Sequence, residues 1–296
     1  MSAVTTGRGT EGLGVTIPGA DRLIWYFMRV SGLALIVLAG GHLFITHYLN
    51  VPPDTTFDFV SARWANPLWR SFDWLLLLTA LWHGIFGLRY SIQDYIGRPG
   101  WRVAVLAIAY AAGFIFMAIG TITVFTFSEA AARDNTGPLA GQMWIAQAIG
   151  WSLYVFAFIT YVAIVLLVIW LIRSLAGGGL PIYQGDVGQY AWALHRATGI
   201  GILFFLLVHI VDIMLIGLGR DVYNESVAFY SRIELIPMEI LLVGAVVYHA
   251  LNGLRVIAID FSRAGYRRER PLFWTVLILS VLLVLPSAIA LIVAHR

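Results

Sequence analysis

Residues 29–42 read RVSGLALIVLAGGH and residues 196–209 read RATGIGILFFLLVH. Each begins Arg-x-Ser/Thr-Gly and reaches a histidine 13 residues after the arginine, Arg29 to His42 and Arg196 to His209. The next apolar segments carry a second correspondence. His83 is followed by Gly87, Leu88, Arg89 and Asp94, and His249 by Gly253, Leu254, Arg255 and Asp260, at offsets of +4, +5, +6 and +11 both times. That many residue types at fixed offsets across two segments is not a chance match. The chain reads as a tandem duplication of a three-helix unit.

Around this repeat the composition excludes a soluble protein. The 296 residues are 60% hydrophobic and 12% charged, with a mean hydropathy of +0.83, whereas soluble domains hold about 25% charged residues. No Cys is present, which removes disulfides, iron–sulfur ligation, thiolate zinc sites and covalent haem attachment by this chain. All 19 basic residues are Arg, so a lysine Schiff base is also impossible. His and Met are the remaining ligands for a soft metal or a haem.

Spanning a hydrocarbon core of about 30 Å takes about 20 residues. Seven runs qualify, at 23–48, 72–95, 103–127, 143–172, 191–218, 236–261 and 272–294. The first is too long for a signal-peptide core and follows a polar stretch. The expected fold is therefore an all-α polytopic membrane protein. Two three-helix repeats flank one extra helix, and a four-helix core forms from helices one, two, five and six. The division is a polar cytoplasmic segment at 1–21, the first repeat at 22–128, a linker with the extra helix at 129–189, and the second repeat at 190–296. A three-helix unit that starts inside ends outside, so a second copy in the same orientation needs one more crossing. The fourth run, without charge or His, supplies that crossing and is assigned no chemistry.

With the N-terminus inside, thirteen Arg fall on inner segments and six on outer ones. The positive-inside rule then places the N-terminus in the cytoplasm and the C-terminus outside. The basic run Arg263–Arg270 is read first as topological anchoring and second as a docking surface for a partner.

Four of the seven His, at 42, 83, 209 and 249, occupy repeated positions in apolar helices. A lone imidazole there needs a polar partner, and each taken singly can be a hydrogen-bonded core residue. Four in two symmetric pairs point to ligation. On a helix rising about 1.5 Å per residue, His42 lies about 20 Å from Arg29 and His83 about 16 Å from Asp94. Depth therefore matches His83 with His249 in the inner half and His42 with His209 in the outer half. Two imidazoles per level suit a b-type haem better than zinc. Gly40, Gly41, Gly84, Gly87 and Gly253 flank these His and permit close backbone approach to a porphyrin, or simply close helix packing. Arg29 and Arg196, assisted by His195, are candidate partners for haem propionates. Asp212, one turn after His209, either orients that ligand or serves a proton path, or else sits exposed to water at the outer interface, the reading preferred from sequence.

The stretch Leu194-His195-Arg196-Ala197-Thr198-Gly199, with His249-Ala250-Leu251-Asn252-Gly253-Leu254-Arg255 and Asp260, resembles the cytochrome b anchor subunit of succinate:quinone oxidoreductase. The first half, with Phe27-Met28-Arg29, His83, Asp94 and Tyr95, resembles the companion small anchor. This chain looks like both joined through the extra helix. The resemblance implies inner haem ligands at His83 and His249, and the additional His42 and His209 suggest the two-haem variety. It places a quinone site at the cytoplasmic side on Tyr95, Arg196 and Asp260. Trp192 stands where many members carry Ser, and Tyr95 can equally be an interfacial aromatic anchor.

The implied function is that of a haem b membrane anchor of succinate dehydrogenase or fumarate reductase, without catalytic residues of its own. It would pass electrons to membrane quinone from an iron–sulfur subunit supplied by a flavoprotein subunit. Lipid and quinone are the other expected partners, and no nucleic acid is expected. The alternatives are the cytochrome b of another di-haem quinone-linked dehydrogenase and a cofactor-free seven-helix transporter or receptor.

Overall fold

The computed structural model describes residues 19–47, 49–50, 52–134, 144, 148, 152, 155, 187–262 and 267–294. Every regular element among them is helical. The helices are α1 (Ala20–His47), α2 (Phe57–Ala65), α3 (Pro67–Tyr95), α4 (Pro99–Thr126), α5 (Glu129–Arg133), α6 (Val187–Met214), α7 (Arg220–Tyr230), α8 (Ile236–Phe261) and α9 (Glu269–Ala294). Among the described residues, six segments are long and apolar enough to cross a membrane: Asp21–His47, Pro67–Tyr95, Pro99–Thr126, Gly188–Leu218, Ile233–Phe261 and Glu269–Ala290. The expected span at 143–172 lies outside the described residues except for Trp144, Ala148, Ser152 and Val155, each of which is helical.

Local chemistry fixes the helix starts. Asn66 caps α3 by accepting from the Leu68 N–H at 2.9 Å, and Pro67 occupies the first turn, where a missing N–H costs nothing. This cap starts α3 at Pro67 rather than at the expected residue 72. Pro99 opens α4 in the same way.

Two further helices depart from the expected scheme. The short α2 and α7 lie between α1 and α3 and between α6 and α8, corresponding places in the two repeats. Too brief to read as spans, they pack on each other at the end opposite the arginine-rich one, here called the far end. The Phe57 N–H donates to Asn224 Oδ1 at 2.8 Å. Phe57, Trp64, Val124, Phe127, Leu215, Ile216 and Tyr223 form a buried cluster beneath. Gly219 makes the turn into α7 at φ +118°, a left-handed conformation that favours glycine.

Asp58 clamps this cap, accepting from Arg133 and Arg220 at 2.5 Å each. The Arg133 hydrogen bond above all, with the charge of Arg220, holds the Asp58 carboxyl below its ordinary value of 3.8. The folded value is thus below the unfolded one. The clamp is fully formed above the unfolded value and is lost as pH falls through the folded one. Proteolysis of the far-end face is expected to quicken as pH falls below the ordinary carboxylate value of 3.8, and Asp58→Asn is expected to reproduce this at neutral pH. Identical cleavage at every pH and in the variant would remove the clamp from the account.

Helices α1, α3, α6 and α8 pack as a closed ring in that order, so α1 faces α6 and α3 faces α8 across it. α4 lies against α3 and α6, and α9 against α8 and α6. Lipid offers no hydrophobic drive between helices, so small residues set the approach. Gly113 sits against Ile85, and Gly84 against Leu203. Val37 (70% exposed), Phe114 (65%) and Val281 (63%) face outward, as the lipid-facing surface of a bundle requires.

Candidate functional site

The ring order carries the site. His83 on α3 and His249 on α8 meet across one diagonal with ring centres 6.3 Å apart. His42 on α1 and His209 on α6 meet across the other at 6.2 Å.

Around the first pair, side chains of the Arg-x-Ser/Thr-Gly motif hold the rings. Ser31 Oγ donates to the Phe27 carbonyl at 2.6 Å and accepts from His83 Nδ1–H at 2.8 Å. His249 Nδ1–H donates to the His195 carbonyl at 3.0 Å, and Thr198 Oγ1 stands 3.2 Å from the same nitrogen. Both rings therefore carry their proton on Nδ1, which leaves Nε2 for a metal. The His195 ring stacks on His249 at 3.9 Å, tilted by 8°.

Glycine lets these rings lie close to the neighbouring helix. A Cβ at Gly32 would stand 3.6 Å from His83 Cε1, and one at Gly199 only 2.8 Å from His249 Cε1. Gly199→Ala is expected to push the His249 ring off its acceptor and weaken cofactor retention, at an overpacking cost of about 1–3 kcal/mol. Absorption of the purified variant checks this, and an unaltered spectrum would contradict it. Of the glycines expected to serve a cofactor face, Gly84 packs on Leu203, Gly41 on Phe72 and Gly87 near Met28, while Gly253 faces His195 at 3.8 Å. The closest approaches to the His rings are at Gly32 and Gly199 instead.

The far-end pair has a different surround. Phe205 stacks on His209 with ring centres 5.4 Å apart and a 14° tilt. Asp73 Oδ1 lies 3.8 Å from His42 Nδ1, and that nitrogen has no hydrogen-bond partner. Asp73 also takes Arg63 at 3.1 Å and the Trp64 Nε1–H at 2.9 Å. Glu239 pairs with His47 at 3.2 Å.

Asp212 is 7% exposed and accepts from Ser226 on α7. The water-exposed reading of this residue is overturned. The α7 helix, unseen in the sequence, covers it.

At the arginine-rich end each motif Arg meets the Asp of the adjacent ring helix. Arg29 pairs with Asp260 at 2.5 Å, and Arg196 pairs with Asp94. Arg29 lies over Trp25 at 4.3 Å and Arg196 over Trp192 at 4.1 Å. Tyr95 stands 6.3 Å from Trp192 between ring centres, and Phe261 5.6 Å from Trp25. The expected quinone grouping is thereby redrawn. Tyr95, Trp192 and Arg196 do come together, but Asp94 completes the cluster and Asp260 belongs to the Arg29 one. In the closed ring α1 and α6 each border both α3 and α8, and each Arg turns to the Asp of the other repeat.

The residues fit a haem at each His pair. Imidazoles on opposite faces of one iron, bonded at about 2 Å with ring centres about 1 Å beyond, stand about 6 Å apart. Among the described residues no three metal-binding side chains cluster to hold an ion by themselves. Next to His249, buried His195 Nδ1 and Arg196 Nη1 lack hydrogen-bond partners, which suits an anionic group such as a propionate. Arg29 is engaged with Asp260.

Fold and site together define a multi-pass, all-helical membrane protein with two histidine pairs facing each other across its helical core. The chain belongs to the succinate dehydrogenase/fumarate reductase transmembrane subunit family, whose model matches residues 13–127 and 178–285, one segment for each half. A 108-residue stretch is 40% identical to the succinate dehydrogenase 2 membrane subunit SdhC of Mycobacterium tuberculosis, covering 36% of this chain and 79% of that protein. Another relative, the succinate dehydrogenase hydrophobic membrane anchor subunit of Halobacterium salinarum, is 28% identical over 103 residues, or 34% of this chain and 78% of its own length. The two matched segments fit a chain built from two anchor-like halves.

Proposed function

We propose that this chain is the haem b-carrying membrane subunit of a succinate dehydrogenase complex, made of two fused anchor repeats and holding two haems. His83 and His249 would hold one, and His42 and His209 the other. The observation that carries this reading is the pair of diagonal His–His separations, 6.3 and 6.2 Å, in a chain of this family.

Bound haem supplies a one-electron carrier whose potential its axial ligands and their partners set. The protein's own part is to hold the rings. Ser31 and the His195 carbonyl fix the tautomers of the first pair, and Gly32 and Gly199 let the rings approach the helices. His195 and Arg196 are the donors proposed for a propionate. Quinone would bind beside Tyr95, Trp192, Arg196 and Asp94, where a phenol, an indole face and a guanidinium converge. Arg196 would donate a hydrogen bond to a quinone carbonyl oxygen, and the Tyr95 hydroxyl would donate another to it. The arginine-rich end would face the cytoplasm, with the C-terminus outside, and would dock the iron–sulfur subunit, which a flavoprotein subunit reduces.

Membranes lacking this chain are expected to lose succinate-driven quinone reduction while a soluble-dye assay of succinate oxidation persists. Succinate is also expected to reduce the b-type absorption of the purified complex. Undiminished quinone reduction in the deletion would refute the assignment.

A further inference from the structure

The two His pairs differ in the company they keep. Around His83 and His249 the Nδ1 partners are neutral: a serine hydroxyl, a threonine hydroxyl and a backbone carbonyl. Beside His42 the facing group is the Asp73 carboxylate, whose side chain is 16% exposed and lies 3.8 Å from Nδ1. His209 has an aromatic ring stacked on it instead. In the second repeat the acid at the place of Asp73 is Glu239, ten residues before its His as Asp73 is before His83, and it is engaged with His47. One carboxylate thus faces one ligand ring, and it does so at one level of the bundle.

We propose that Asp73, standing as a charge beside His42, lowers the reduction potential of the far-end haem relative to the other. This rests on the two-haem reading above. A carboxylate facing Nδ1–H makes the imidazole a stronger donor and favours the oxidised iron. At 3.8 Å the effect is that of a nearby charge rather than of a hydrogen bond. The charge is moderated by Arg63 at 3.1 Å and by the Trp64 Nε1–H at 2.9 Å. Both moderators come from α2 and its end, so the far-end cap contributes to the potential of the site beneath it.

The proposal makes predictions of opposite sign for the two members of one ion pair. Removing the negative charge raises the potential of the far-end haem, and removing its counter-cation lowers it. General loosening of the pocket would move both variants in one direction.

The test is a redox titration of the intact complex, following the reduced haem absorption in wild type, Asp73→Asn, Asp73→Glu and Arg63→Gln. His209→Ala identifies the far-end component beforehand. Asp73→Asn is expected to shift that midpoint upward and leave the other in place, and Asp73→Glu to restore most of the wild-type value. Arg63→Gln is expected to shift it downward. If Asp73→Asn fails to retain haem, the Arg63→Gln shift decides alone. Two haems whose midpoints stay put, or a rise of the far-end midpoint in Arg63→Gln, overturn the proposal and leave the two-haem reading standing. A wild-type complex with a single haem overturns both.

Discussion

His249→Ala is expected to remove the inner haem, taking the complex from about two haems to about one. Quinone-linked succinate oxidation is expected to collapse while dye-linked oxidation by the soluble subunits persists. The variant deletes a proposed haem ligand together with its hydrogen bond to the His195 carbonyl. His83→Ala is expected to give the same spectrum, because the two rings face each other across the α3–α8 diagonal. Ser31→Ala keeps the ligand and removes the acceptor that fixes its tautomer, so a smaller loss follows, about tenfold in haem retention. Equal spectra for Ser31→Ala and His83→Ala would contradict this ordering.

The second large effect is expected at Arg196. Arg196→Ala removes the partner of Asp94, the cation over Trp192 and the proposed contact to quinone together. A hydrogen bond to a charged group is worth about 1.5–3 kcal/mol, and about 1.4 kcal/mol is tenfold. Quinone kcat/KM is therefore expected to fall about 10- to 100-fold. The duplication supplies its own control. Arg29 stands in the matching cluster with Trp25 and Asp260, but Phe261 stands at the place of the tyrosine there. Arg29→Ala is expected to affect quinone kinetics much less, and Tyr95→Phe to weaken the Arg196 cluster toward its counterpart. Equal losses in Arg29→Ala and Arg196→Ala would detach quinone from the Tyr95 cluster.

The helices that cross the bilayer were legible because about 20 apolar residues are needed and each run is bounded by Arg, Pro or Gly. The four His were legible as pairs because identical spacing fixes identical depth. The extra partners were only half legible. Asp73 and Glu239 each lie ten residues before their His, and Trp25 and Trp192 each four before their Arg, so the repeat carried the signal. What sequence spacing does not encode is which of its two ring neighbours each Arg turns to. The structure gives Arg196 to Asp94 and Arg29 to Asp260, and this reassigns the fourth member of the proposed quinone cluster. The far-end helices α2 and α7 escaped for another reason. Each is short, and the energy that fixes it comes from tertiary packing of Phe57, Trp64 and Tyr223 rather than from a long apolar run.

A dithionite-reduced absorption spectrum, with haem measured against protein, tests most directly whether the two His pairs hold two b-type haems. About two haems are expected in the wild-type complex and about one in His209→Ala, with the His83–His249 site still filled. A colourless wild-type preparation, or a haem content unmoved by His209→Ala, would contradict the account.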